Sequence, residues 1–465
     1  MPDSQFTYSS LFPCSAHELY DWHSRSGALE RLIPPWEHTR VAMRTGGLDP
    51  GGRVVLAMHA GPWPYQWHAR HIENLPDLMF RDIQERGPFA HWTHTHRFAD
   101  TPNGALLEDQ IDYALPGQVL LPDFATGMVN RTLRRVFRYR HATLRDDIAL
   151  HQRCSARPLR VLISGASGVL GSALRPLLTT GGHEVWTLVR RPPDRSRREI
   201  YWNPERDQLN LAGLAAFDGV IHLAGDNIGE GRWTTDKKKR VIDSRVQGTG
   251  LIARTIAGLP VRPKVFLSAS AVGFYGNCLD CCMREEDRAG TDFISDVCNL
   301  WEHSARPAEE AGIRTVFLRI GVVLSPQGGA LQRLLATSAI GFSSRFGAGD
   351  QYISWIGIND MVGAVLHALT CDTLTGPVNI AAPHAATNSQ LLHTLARVMR
   401  RPLLPPVPAG LLQTLYGQMA SEVLLGGCRV ATDKLQQSGY TFRHADLEQA
   451  LRHLLGRFAN NGPEC

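Results

Sequence analysis

Apolar residues along the chain follow two patterns, which change over near residue 155. Before it, segments such as Arg53 to Met58, Gln66 to Ile72 and His91 to Phe98 alternate apolar with polar positions, the period of half-buried antiparallel strands. Ser15 to Arg25 reads as an early helix with Ser15 as its N-cap, and Phe124 to His141 as a long amphipathic helix. Two helices embracing a curved antiparallel sheet predict an α+β domain over residues 1–152, with an enclosed cavity suited to an apolar ligand. After Cys154-Ser-Ala-Arg-Pro158, a linker by composition, continuous apolar runs alternate with helical stretches. The runs are Leu159 to Ser164, Glu184 to Val189, Gly219 to Leu223, Val265 to Ser268 and Thr315 to Arg319. They predict an α/β domain over residues 158–404, a Rossmann-like doubly wound parallel sheet. A proline-rich stretch, Arg401 to Pro408, then leads into an expected small helical domain at 405–460.

The first of these runs enters Gly165-Ala-Ser-Gly168-Val-Leu-Gly171, a G-x-x-G-x-x-G spacing between a strand and a helix. One glycine permits the tight turn, one lets backbone approach a pyrophosphate, and one lets helix pack on strand. The helix N-terminus turns its free N–H groups and partial positive charge toward the phosphates. The second run ends Leu188-Val189-Arg190-Arg191, with no acid before Asp194. An NAD site would hold an Asp or Glu there for the ribose hydroxyls, whereas arginine pairs with a 2′-phosphate and stacks on adenine. NADP(H) is therefore the expected cofactor. The alternative is two arginines on a solvated loop.

Composition narrows the class without changing this picture. The 465 residues allow two or three domains, and 43% hydrophobic with 20% charged residues is ordinary for a globular protein. A net charge of +5 is small for this length, so neither nucleic acid nor a membrane is expected as a partner. No apolar run approaches the 18 residues of a membrane span and no leader is apparent, so a cytoplasmic location is expected. Nine cysteines without a framework spacing fit a reducing compartment. Cys278, Cys281 and Cys282 lack the second pair or nearby histidine that a metal site needs. The basic run Lys237 to Arg240 is expected to be a solvated or cofactor-facing helix surface. Residues 1–152 hold five of the ten tryptophans and 11 of the 19 histidines. His94 and His96 share one strand face, with His68 and His71 within reach of it. No carboxylate or cysteine spacing completes a ligand set, so polar-face histidines and no metal are expected.

Beyond residue 159 the chain carries GASGVLG, VIHLAGDNI (220–228), GRWTTDKKKRVIDSRV (231–246), LSASAVGFYG (267–276), VCNLWE (297–302), LRIGVVLS (318–325), GGAL (328–331), SWIGIND (354–360) and GPVNIAAP (376–383). In this order the motifs resemble the extended short-chain dehydrogenase/reductase superfamily, and within it the atypical epimerase family protein group of NADP-binding proteins. From Pro406 the chain resembles the small domain of unknown function that ends those proteins. The resemblance implies that Gly165, Ser167, Gly168 and Leu170 line the pyrophosphate, with Gly171 as the packing glycine. It implies that Val189, Arg190 and Arg191 meet the 2′-phosphate side. Leu223, Ala224 and Gly225 would sit against the adenosine ribose and the bridge to nicotinamide, Arg245 would be a further phosphate or ribose contact, and Val323 would lie near the nicotinamide. It implies NADP(H) as cofactor and a small-molecule substrate. Through ELYDWHSRSGALERLIPPWE (18–37), the first 150 residues resemble the SRPBCC (START-like) helix-grip fold, which implies an apolar ligand in an enclosed cavity.

Active members of that superfamily set Tyr-x-x-x-Lys on one helix, the lysine lowering the phenol pKa for proton exchange with a carbonyl oxygen. None of the ten tyrosines here has a lysine four residues later. Cys298 stands in the tyrosine's place and Glu302 in the lysine's. A glutamate raises a neighbouring acid's pKa, so Cys298 is expected to stay a thiol. Ser270 matches the serine that holds the substrate oxygen, and Tyr275 is the nearest phenol to replace the missing acid. Glu302 becomes a general base if burial brings its pKa toward neutrality. Two readings follow. One is an NADP(H)-dependent oxidoreductase or sugar-type epimerase with non-standard catalytic residues and an unidentified substrate. The other is a non-catalytic NADPH-binding sensor or regulator coupled to the apolar-ligand domain, in which Cys298 and Glu302 only pack and cap a helix.

Overall fold

The alternating segments of the first 150 residues form one antiparallel sheet. Its strands are β1 (Ser4–Phe12), β2 (Arg40–Thr45), β3 (Arg53–Ala60), β4 (Trp63–Leu75), β5 (Met79–Arg86), β6 (His91–Thr101) and β7 (Gly104–Ala114), in the order β1-β7-β6-β5-β4-β3-β2. The computed structural model describes residues 4–61, 63–116, 123–154, 157–339, 341 and 343–458. Two compact units divide at Arg153–Cys154, the second holding most residues from there to Arg452.

In the first unit, helix α1 (Ala16–Ser24) begins at the expected cap, Ser15 Oγ accepting the Glu18 N–H at 3.1 Å. After the short α2 (Ala28–Leu32) and the sheet comes α3 (Asp123–Cys154), which runs well past His141. Leu144 and Ile148, one helical turn apart in that extension, pack with Phe12, Leu19, Phe98 and Leu107. The run Arg145-Asp146-Asp147 hides this stripe in the sequence, yet Asp147 is itself buried and paired with Arg31 at 2.7 Å.

The second unit is doubly wound. Its strands and main helices are β8 (Arg160–Ser164), α4 (Val169–Thr180), β9 (Glu184–Val189), β10 (Glu199–Asn203), β11 (Gln208–Leu209), β12 (Gly219–His222), α5 (Thr235–Ala257), β13 (Val265–Ala271), α6 (Phe293–His303), β14 (Arg314–Ile320), α7 (Ile358–Thr370), β15 (Gly376–Ile380) and α8 (Asn388–Met399). The sheet order is β11-β10-β9-β8-β12-β13-β14-β15, parallel except at β10–β11. The order reverses between β8 and β12, so a crevice opens beyond their carboxyl ends, where open α/β sheets bind ligands. The glycine loop follows one of these strands and Leu223 to Asp226 the other.

Within the stretch 405–460, expected as a small helical domain, residues up to Arg452 fall in the second compact unit and the described residues from His453 in the first. Leu404–Val407 pairs in parallel with Ser344–Phe346, and Cys428–Val430 pairs with Cys278–Met283. The C-x-x-C-C group is thus part of a strand. Its neighbour Cys428 is a buried thiol whose pKa burial pushes up to about 12. Among the described residues, no helix is long and apolar enough to cross a membrane.

Candidate functional site

The glycine loop crosses the end of β12 so closely that side chains cannot fit. Gly165 has φ +73°, and a Cβ there would lie 2.7 Å from Ala224 N and 2.8 Å from the Leu223 carbonyl carbon. A Cβ on Gly171 would stand 2.3 Å from Gly165 O, so the first turn of α4 packs directly on the loop. Gly168 faces outward. Its nearest neighbour would be Gly165 O at 3.4 Å, and Ser167 and Gly168 are exposed while Leu170 is half-buried. The three glycines therefore divide their work as turn, open approach and packing. Gly328 closes on Val169 in the same way, which brings the loop after Val322–Leu324 to the start of α4. Val323 lies half-buried on that short strand, paired with Ile356.

At the end of β9 the two arginines part company. Arg191 is clamped to Glu199 by two hydrogen bonds, of 2.8 and 2.5 Å. Arg190, next to half-buried Val189, is exposed and makes no hydrogen bond or ion pair among the described residues. Sequence spacing located no acid here because Glu199 belongs to the adjacent strand. Arg245, expected as a phosphate or ribose contact, is buried beneath the β12 loop. It donates to Asp226 O at 3.0 Å and Val241 O at 3.1 Å, stacks on Trp301 at 4.7 Å, and would meet a Cβ on Gly225 at 3.3 Å. It positions Leu223, Ala224 and Gly225 from below. Of the basic run on α5, Lys237 is buried and bonds Asp226 at 2.9 Å, so it is neither solvated nor free.

The four candidate catalytic residues converge, but on one another. Ser270 Oγ donates to Glu302 Oε1 at 2.7 Å. Arg319, near the carboxyl end of β14, grips both oxygens of the same carboxylate at 2.9 Å. Its third nitrogen reaches the Tyr275 hydroxyl at 3.0 Å, and that hydroxyl donates to Asn379 Oδ1 at 2.8 Å. Tyr275 therefore has its proton and its lone pair engaged, and burial raises its pKa to about 12, so it is not the free acid that sequence reasoning placed here. Burial, then the Glu302 charge, likewise lifts Cys298 to about 12 and keeps it a thiol. Glu302 is anchored by a guanidinium and a hydroxyl, not poised as a base. Sequence reasoning missed Arg319. Its signal was an arginine inside the apolar run LRIGVV, since a charge buried in a strand requires a partner.

Beside this set, burial first and the Arg245 charge second hold the His222 pKa at about 3. His222 is thus neutral when folded and gains a proton only on unfolding, so stability falls as pH drops below about 6.5. Between pH 7 and pH 5.5 its share of the loss is about 1.2 kcal/mol. Denaturant unfolding at pH 7 and 5.5 is expected to show a drop smaller by that amount in His222→Asn.

The first unit holds a partly open cavity of about 410 Å³ whose walls include Leu32, Val54, Leu56, Trp67 and Val136. One part of the lining is polar, and the histidines expected on a polar sheet face line it. His71, His94 and His96 are all buried. Register sets Asp82 of β5 opposite His94 and Asp109 of β7 opposite His96, carboxylates that linear spacing does not reveal. Asp109 accepts from His94 Nε2 at 2.9 Å and His141 Nε2 at 2.7 Å. It also lies 2.6 Å from His96 Nδ1, without in-line hydrogen-bond geometry. Burial alone would raise its pKa, yet the contacts with His96, His141 and His94 hold it well below the usual range.

Comparison with known proteins agrees with both halves. The profile of the NAD dependent epimerase/dehydratase family matches residues 161–381, that of polyketide cyclase/dehydrase and lipid transport proteins matches 12–141, and a domain of unknown function, DUF1731, matches 407–454. The epimerase family protein Mb2239 of Mycobacterium bovis is 38% identical over 297 residues, 64% of this chain and 98% of that one. The crystal structure of the nucleoside-diphosphate sugar epimerase from Corynebacterium glutamicum superposes with a TM-score of 0.78 at 31% identity, over 97% of this chain and 90% of that chain. The human epimerase family protein SDR39U1 with NADPH superposes with a TM-score of 0.60 at 32% identity, over 64% of this chain and 99% of that chain. The relatives of Mycobacterium bovis and human are matched over nearly their whole length by the second unit, and the chain belongs to the epimerase family proteins of the NAD dependent epimerase/dehydratase family.

Proposed function

We propose that the second unit binds NADP(H) and acts as an oxidoreductase or epimerase on a small-molecule substrate, without the phenol–lysine relay. The observation that carries this reading is Arg190, an exposed guanidinium at the end of β9 without a partner among the described residues, together with a glycine loop that leaves no room for a Cβ at Gly165 or Gly171. The human relative with NADPH supports it. Gly168 gives the pyrophosphate its open approach, and the α4 N-terminus offers N–H groups. Arg190 takes the 2′-phosphate, while Arg191 is kept by Glu199 for shaping the loop. Val323 and the β12 loop border the nicotinamide, which supplies or accepts a hydride when bound. Ser270 orients a substrate oxygen only if it leaves Glu302.

Calorimetric titration of the full chain tests the cofactor half. NADPH is expected to bind far more tightly than NADH. Arg190→Ala should weaken NADPH by about 10- to 100-fold, the worth of one or two charge-assisted bonds, and leave NADH unchanged. An unchanged NADPH preference in that variant would remove the basis of the assignment.

The closed Ser270–Glu302–Arg319–Tyr275 set favours a second reading, an NADPH-binding sensor without turnover. Tight NADPH binding with no oxidation across a panel of carbonyl substrates and nucleotide sugars would select it. For the first unit, the apolar walls point to an apolar ligand. Uptake of a fluorescent apolar probe, displaced by fatty or aromatic compounds, checks this.

A further inference from the structure

We propose that Asp82, His94 and His96 form a binding site for a divalent first-row transition-metal ion at the polar end of the first unit's cavity. One ligand atom from each of the three side chains lies within 4.8 Å of the other two. His94 Nδ1 stands 3.7 Å from Asp82 Oδ2, and the two imidazole rings are 3.9 Å apart at their centres. An ion between them would draw these atoms in by a small side-chain movement.

The surroundings carry the argument further than the triad. Asp109 is acceptor-only as a carboxylate, so the 2.9 Å contact fixes the proton of His94 on Nε2. The lone pair of His94 is then on Nδ1, the atom that faces Asp82. A carboxylate holding the far side of a metal-bound imidazole is the usual outer partner in such sites, and Asp109 occupies that place for His94 and touches His96 as well. Asp82 itself accepts no hydrogen bond among the described residues, although its side chain is only 15% exposed. Arg140 lines the same cavity but turns its Nε to Leu32 O at 3.3 Å. A buried carboxylate without a donor is costly, and a cation removes that cost. His71 adds a second unmet group: it is 9% exposed, lines the cavity, and its Nδ1 has no partner.

Two imidazoles and one carboxylate suit Fe²⁺ to Zn²⁺ better than Mg²⁺ or Ca²⁺. Three protein ligands leave coordination positions open. Those positions face the cavity, so a bound ion would receive an oxygen or nitrogen donor at the head of an otherwise apolar ligand.

The test uses the full chain without an affinity tag, stripped by a chelator and titrated with Co²⁺. Visible ligand-field bands should grow to one equivalent and be bleached by one equivalent of Zn²⁺. Asp82→Asn and His96→Gln should each lose the bands, whereas His91→Gln, an exposed histidine on the same strand, should keep them. Circular dichroism of the metal-free variants separates loss of ligands from loss of fold. Should one of the two variants unfold, the other and the wild-type titration still decide. A wild-type protein without bands overturns the proposal, and so do bands that survive in both ligand variants.

Discussion

Glu302→Gln is expected to destabilise the second unit by about 3–5 kcal/mol, the cost of removing one partner of a buried ion pair. Arg319 is 3% exposed and loses its bidentate counter-ion, because Glu302 supplies both oxygens at 2.9 Å. An amide retains one acceptor and turns a donor toward the guanidinium. Pairing the change with Arg319→Met should recover much of the loss, since the charge left alone disappears with it. Ser270→Ala, which removes one hydrogen bond to a carboxylate, should cost about 1–3 kcal/mol. Urea unfolding of the single and double variants measures each value. The same variant separates anchor from base. If Glu302 moved protons in catalysis, Glu302→Gln would abolish turnover and leave the unfolding midpoint nearly unchanged. A midpoint within experimental error of wild type would refute the anchoring role.

Asp109→Asn should damage the first unit comparably, by about 3–5 kcal/mol at pH 7. Asp109 is 3% exposed and serves His94, His141 and His96 at once. Its folded pKa lies below the unfolded value, so its contribution is complete above about pH 4 and is lost as pH falls through the folded value. The deficit of the variant should therefore be full at neutral pH and shrink in acid. Unfolding followed from pH 7 down to 3 reads that narrowing. A deficit that stays constant over this range would mean that packing, not charge, is what Asp109 provides.

The legible parts of this molecule were those in which neighbours in sequence are neighbours in space. The glycine loop, β8 and β9 are such local objects, and the spacing of Gly165, Gly168 and Gly171 carried its meaning directly. Ser15 as a cap was legible for the same reason. Edge and late strands were not: β10, β11 and β15 are short, and only pairing makes them strands. The site was half visible. The positions of Ser270, Tyr275, Cys298 and Glu302 could be found from motifs. Their chemistry could not, because it is decided by Arg319 and Asn379 arriving from other strands. The histidines teach the same lesson. His94 and His96 were noticed, but the carboxylates that change them lie across the sheet, at distances along the chain that no spacing rule spans.

The parallel pairing of Cys278–Met283 with Cys428–Val430 has a consequence for how the chain is made. Nearly the whole second unit must leave the ribosome before that edge finds its partner, and Ser344–Phe346 waits likewise for Leu404–Val407. Until then two strand edges are open to other chains, and such edges invite association between molecules. Ending the polypeptide near residue 404 would make this interval permanent. Such a truncation should reach the cell's chaperones or its aggregates, even though every glycine and arginine of the nucleotide loop is already in place.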